Sequence, residues 1–183
     1  MTDYITETKE GIVEVVQRGA RGLQGSAGAI NTGWASYVDT QYPDSDNVFS
    51  LSANTDTLLQ NNAGIIIDSQ KPSDIDTFYD GSVITGRNGD NLDLMFYFKA
   101  KSSIQNQWLD IWLDIGGSVG QLYRQTFGFT KGTGTERSIL YALPSAYTLD
   151  TWEQNGASVY VRSNGATEIY DINFNFDRSH KAV

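Results

Sequence analysis

Between Trp108 and Ile115 the chain alternates without a break. Leu109, Ile111, Leu113 and Ile115 take the odd positions, and Trp108, Asp110, Trp112 and Asp114 the even ones. Successive side chains of a strand point to opposite faces, so this spacing sets an aliphatic face against one of indoles and carboxylates. A helix repeats every 3.6 residues and would scatter the same set around its circumference. Leu92, Leu94, Phe96 and Phe98 alternate with Asp93, Met95, Tyr97 and Lys99 in the same way, and Tyr123, Gln125, Phe127 and Phe129 form a less pure third case. Further short strands are predicted at 34–42, 48–51, 63–68 and 137–141. No convincing amphipathic helix lies among them. Only 19% of the residues are charged, 12% are aromatic and 18 are glycine, a turn-rich balance unlike that of helical proteins. The expectation is an all-β domain, an antiparallel sandwich or jelly roll of eight or more strands.

Turn chemistry suggests one pairing. Asn164-Gly165 is a preferred pair for a two-residue type I′ hairpin, in which both positions need positive φ. Folding there pairs Val161 with Glu168, Val159 with Tyr170 and Ala157 with Ile172. It also puts Tyr170, Ile172, Phe174 and Phe176 on one face with Val159 and Val161. Asn88-Gly89 and Asn155-Gly156 mark two more turns.

The alternation stops short of the N-terminus. Residues 1–10 are polar and show no pattern, residues 11–17 are β-branched enough for one strand that adds to another sheet, and Gly19, Gly22, Gly25 and Gly28 recur every third residue. That period suits either a flexible linker or a short three-chain element. The expected division is an extended arm over 1–33 and a head domain over 34–183.

Chemistry is harder to find. The chain has no cysteine, which excludes thiolate metal sites and a cysteine nucleophile. Its formal net charge of −9 opposes phosphate, so no nucleic-acid partner is expected. No apolar run approaches the roughly 18 residues that span a bilayer. The polar start MTDYITETKE lacks the order of a secretory signal, so export by that route is not expected. The single histidine, His180, sits in a terminal segment, DRSHKAV, poorly suited to a general base. Asp110 and Asp114 share a strand face about 13 Å apart, too far for a glycosidase pair. Asp74, Asp76 and Asp80 resemble a calcium loop, but Phe78 and Thr85 occupy ligand positions of that loop, and Asp44 and Asp46 form only a partial set. The glycines at 128, 132 and 134 precede no helix that could receive a phosphate. No catalytic, cofactor or metal residues are therefore assigned.

The most informative residues are Trp108 and Trp112, on the face opposite the aliphatic one, with Met95 and Tyr97 on the second face of their own strand. Large apolar groups there mark a contact surface. The contact is with a second sheet or domain, a sibling subunit, or a sugar ring stacked on indole.

Four segments, GWASYVDTQY, LSANTDTLLQNNAGIIIDSQKP, YDGSVITGRNGDNLDLMFYFKA and EIYDINFNFDRSHK, resemble structural proteins of tailed-bacteriophage virions over residues 33–181. The resemblance implies a capsid decoration or head-fibre protein: a homotrimer of heads similar to tumour-necrosis-factor and C1q jelly rolls, held on the particle by an N-terminal arm. It implies a non-enzymatic role, no cofactor, the major capsid protein as partner, and a place on the capsid exterior after synthesis in the host cytoplasm. Under it, Ile12, Val13, Val15, Val16, Arg18 and Arg21 are the expected capsid anchors, and Trp108, Trp112, Met95 and Tyr97 the expected trimer interface. Host surface glycans are a further possible partner, and a tail-fibre tip that binds receptor is one alternative. Another is a carbohydrate-binding β-sandwich module using Trp108, Trp112 or Trp152.

Overall fold

Ten strands and one short helix make up the described residues after position 31. The structure is a computed structural model that describes residues 4–9, 12–17 and 32–181. Chain contacts divide it into two units, Met1–Ile30 and Asn31–Val183.

In the first unit, β1 (Tyr4–Lys9) pairs antiparallel with β2 (Ile12–Gln17), from Tyr4 opposite Gln17 to Lys9 opposite Ile12. The N-terminal segment expected to be patternless is therefore a strand, and the strand expected to seek an outside partner has one beside it. An antiparallel strand pair therefore stands where an extended chain was expected. The anchor candidates Ile12, Val13, Val15 and Val16 lie on β2. Arg18, Arg21 and the glycine triplets fall outside the described residues.

The second unit begins with β3 (Gly33–Val38), β4 (Phe49–Leu51), β5 (Thr57–Leu58), β6 (Ile65–Ile67) and β7 (Asn91–Ser102). There follow β8 (Trp108–Asp114), β9 (Gln121–Gly128), β10 (Glu136–Tyr147), α1 (Asp150–Asn155), β11 (Ser158–Ser163) and β12 (Thr167–His180). The larger sheet runs β10-β7-β12-β3-β6, with β4 continuing the β3 side of β12. The smaller runs β5-β11-β8-β9. Every pairing is antiparallel, and the two sheets form a jelly-roll sandwich.

The alternation does what its period requires. Leu92, Leu94, Phe96, Phe98 and Ala100 of β7 point inward and are buried, as are Leu109, Ile111 and Leu113 of β8. Phe96 lies at the centre, with ring centroids of Phe174, Tyr141 and Phe176 at 5.0, 5.6 and 5.7 Å. Such offset and edge-on contacts add to what their buried area alone contributes. The Tyr37 hydroxyl accepts the Phe78 N–H at 2.9 Å, which ties the long loop before β7 to the sheet.

The C-terminal hairpin expected at Asn164-Gly165 does not form. β11 pairs with β8 and β5, whereas β12 pairs with β7, β3 and β4, so the intervening residues cross from one sheet to the other. Neither Asn164 nor Gly165 has the positive φ that a type I′ turn needs. The crossing is held by buried Gln107, whose amide donates to Ser163 Oγ (3.0 Å), the Gly165 and Ala166 carbonyls (3.3 and 3.1 Å) and Thr167 Oγ1 (2.5 Å). Asn164 Oδ1 in turn accepts the Trp108 N–H at 2.8 Å. Within β12 a bulge sits between Tyr170 and Asn173, with Asp171 at φ 55°. It reverses the parity of the strand, so Ile169 faces the core and Tyr170 faces out beside Lys99, apart from Ile172, Phe174 and Phe176.

The unexpected helix α1 follows from local packing. Trp152 is buried and donates its indole N–H to the Ile84 carbonyl at 3.0 Å. The turn marked by Asn155-Gly156 is the end of that helix, where Gly156 takes φ 72°. Asn88-Gly89 forms the turn it signals, with the Asp90 N–H on the Arg87 carbonyl at 2.9 Å and Gly89 at φ 86°.

Candidate functional site

Each sheet has an outward face, and the two are finished differently. On the smaller sheet, Asp110 is buried although it points away from the core. Its carboxylate accepts from Arg124 Nε at 3.0 Å, from a second Arg124 nitrogen, and from the Thr126 hydroxyl at 2.5 Å. Arg124 is thereby held over the Trp112 ring, 5.2 Å from its centroid, and Tyr160 stacks near-parallel on that ring at 6.0 Å. Trp112 is consequently only 4% exposed within its own chain. Within its own chain Trp112 is thus covered by Arg124 and Tyr160, and little of its indole faces outward. Trp108 is half-buried, and Trp152 is buried in the core, so neither Trp112 nor Trp152 provides a stacking platform.

The larger sheet lacks such a cover. Met95 is 43% exposed and Tyr97 half-buried on the outer side of β7. Leu140 of β10 lies directly opposite Tyr97, and Tyr147 ends the same strand. Across the sheet, Trp34 of β3 and Ile65 and Ile67 of β6 are exposed on the same face, whereas Ile66, opposite the inward Tyr37, is exposed at the edge on the other face. Sequence reasoning found Met95 and Tyr97 but missed these others. The signal for Leu140 was available, since it lies between the inward pair Ile139 and Tyr141 and must point out. Ile65-Ile66-Ile67 reads as a buried run and is in fact an edge strand paired on one side only.

Charged groups cluster at one end of this sheet. Arg178, 1% exposed, meets Asp90 at 3.1 Å and Asp74 through both terminal nitrogens. Lys181 reaches Asp74 at 2.7 Å and Arg87 reaches Asp90 at 3.1 Å. Hydrogen bonds from Arg178, then from Lys181, hold the Asp74 carboxyl well below the usual carboxylate range. The cluster clasps the loop before β7 to the C-terminal strand, beside a cavity of about 280 Å³ floored by Phe78 and Leu92. On the outer face itself Asp177 lies opposite Asp93 in register, and burial, then the Asp93 charge, raises the Asp177 carboxyl above its ordinary 3.8.

In the calcium-like segments Asp80 accepts the Ser82 and Val83 N–H groups at 2.9 and 2.8 Å. Asp44 accepts the Asp46 and Asn47 N–H groups at 3.0 and 3.1 Å, and Asp74 is held in the clasp. His180 is exposed at the end of β12. Among the described residues no group of three acidic, histidine or cysteine side chains could hold a metal ion, and no helix is long and apolar enough to cross a membrane.

The chain matches no protein-family model and no curated protein. Among solved structures it is similar to the Eiger TNF of S. frugiperda, at 10% identity and a TM-score of 0.51, over 82% of this chain and 95% of that one. This likeness is one of fold, and it defines the second unit as a jelly roll of the kind seen in TNF. The chain is also similar to the PRD1 vertex protein P5 (12% identity, TM-score 0.39, 97% of this chain and 82% of that one). A third similar structure is that of infectious bursal disease virus, Gx strain (10% identity, TM-score 0.40, 94% of this chain and 36% of that one).

Proposed function

We propose that this protein is a non-enzymatic virion structural protein, a homotrimeric capsid decoration or head-fibre subunit. Residues 1–33 dock on the major capsid protein and residues 34–183 project as the head on the particle exterior. The observation that carries the reading is the bare apolar outer face of the larger sheet on a jelly roll whose N-terminal hairpin is a separate unit. A monomer seldom leaves so many large apolar side chains of one sheet face in water, and closed symmetric assembly is the usual way of covering them. The segments that resemble virion proteins of tailed phages support the setting.

An isolated two-stranded hairpin is marginal in water, so β1 and β2 gain stability by lying against another surface. Three arms on one trimer bind jointly, and weak single contacts then suffice. Removal of residues 1–30 should leave the solution mass per assembly at three heads and abolish binding to capsids in a co-sedimentation assay. Undiminished binding by the shortened chain would overturn the anchoring role.

A further inference from the structure

With Trp112 covered and Trp152 in the core, one outward indole of the smaller sheet is left. Trp108 begins β8 on the outer face and is half-buried. Its cross-strand neighbour is Gly128, and β9, which carries that glycine, is the last strand of its sheet. A Cβ placed on Gly128 would meet no atom within 4 Å, so the flank of the indole that a directly opposite side chain would cover is open. On the other flank Asn164 gives its Oδ1 to the Trp108 N–H at 2.8 Å. The indole thus walls a shallow trough about one strand spacing wide, ~4.8 Å.

Hydrogen-bond donors are left over around it. Arg162 lies two residues before Asn164 on the same face; its Nε is buried without a partner, and its ion pair with Asp56 is a 3.4 Å contact. Asp110 lies opposite Arg162 in register, but Arg124 and the Thr126 hydroxyl already take its carboxylate. Among the described residues neither the Trp108 indole N–H nor the Asn164 amide N–H groups meet an acceptor. A buried donor without an acceptor costs free energy that a ligand oxygen can restore. Arg137 adds a cation at the edge, bonded to the Gly128 carbonyl. In a chain of net charge −9 this spot is locally basic.

We propose that this trough binds a pyranose that carries a carboxylate, the chemistry of a uronic or sialic acid residue in a glycan. The C–H face of the sugar ring lies on the apolar body of the indole. Its oxygens accept from Asn164 and from the Trp108 indole N–H, and its carboxylate meets the Arg162 guanidinium in a charge-assisted bond. A nucleic-acid strand suits the place less, because a chain of charge −9 repels a polyanion, whereas one sugar carboxylate brings a single charge. The trough lies on the sheet opposite the bare face invoked for the homotrimer, and it does not depend on that assembly.

Saturation-transfer NMR on the full-length protein tests it with three probes, the methyl glycosides of glucuronic acid, N-acetylneuraminic acid and glucose. At least one acidic glycoside should bind saturably, and the glucoside about tenfold more weakly, the scale of one hydrogen bond to a charged group. Arg162→Gln should erase that preference and leave the glucoside signal unchanged. Gly128→Val fills the trough with a residue that strands accept, so it should abolish binding of all three without lowering the melt. Should its melt fall, Arg162→Gln alone decides. Absence of saturable binding by both acidic glycosides would overturn the proposal. So would undiminished binding by a well-folded Gly128→Val, or an acidic preference that survives Arg162→Gln. Equal binding of the glucoside by wild type would overturn the acidic class of ligand.

Discussion

The two outer faces of the sandwich began from the same sequence signal and reached different ends. Strand β8 places Trp112 on its second face and strand β7 places Met95 and Tyr97 there. The smaller sheet covers its indole from within the chain: Asp110 fixes Arg124, Arg124 lies over Trp112, and Tyr160 closes the other side. Nothing equivalent covers Met95 or Leu140. An apolar residue on the outward phase of a strand therefore says only that something must cover it. Whether the cover is intramolecular depends on the neighbouring strands, and a pinned cation one strand away is enough to provide it.

This difference makes opposite demands on substitutions. Trp112→Ala should carry the largest cost, roughly 3 kcal/mol and some 6–12 °C in Tm, because it empties a packed aromatic site. Its solution mass should match wild type. A drop in mass with little change in the melt would show that Trp112 belongs to a subunit contact and would break the contrast. Leu140→Asp should do the reverse. Folding of the isolated chain should change by no more than about 0.5 kcal/mol, as expected at an exposed site, while association measured by sedimentation falls away. Asp177→Asn should have the smallest effect and a defined pH dependence. The Asp177 carboxyl is raised by burial and by Asp93, so its ionisation opposes the folded state. That penalty is absent below the ordinary carboxylate value of 3.8 and complete once pH exceeds the raised one. The variant should melt slightly above wild type at neutral pH and coincide with it in strong acid. Equal melts at both pH values would show that the carboxylates are well solvated.

Much of the fold was legible because period two is a local property. The alternation over β7 and β8 identified the strands and both of their faces, and the jelly-roll class followed from strand number and spacing. Partnering was less legible. Asn164-Gly165 and the phases of β11 and β12 agreed on a hairpin, yet Gln107, more than 50 residues away, holds those residues in a crossing between sheets. Both arrangements bury Val159 and Val161 with Phe174 and Phe176, so hydrophobic pattern alone does not separate them. The bulge at Asp171 was equally hidden, because one extra residue in a strand leaves no mark in composition. The exposed apolar set was half visible: Met95 and Tyr97 came from alternation, whereas the β6 isoleucines required knowing which strand lies at an edge. The N-terminal hairpin was missed because β1, YITETK, mixes threonine and charge with few large apolar groups.

The placement of β12 also governs how the molecule comes into being. This strand, later in the chain than every strand it joins, connects β7 to β3 and β4, and without it the larger sheet is three unconnected pieces, β10-β7, β3-β6 and β4. A nascent chain leaving the ribosome therefore cannot complete the larger sheet until β12 has emerged, whereas β1 and β2, adjacent in sequence, can pair early. Pairings that span more than a hundred residues also close slowly, since their loop entropy must be overcome before the contacts form. Until β12 arrives, β7 and β3 each carry an open edge and an apolar face, and unpaired strand edges of that kind are what make partly folded chains prone to aggregate.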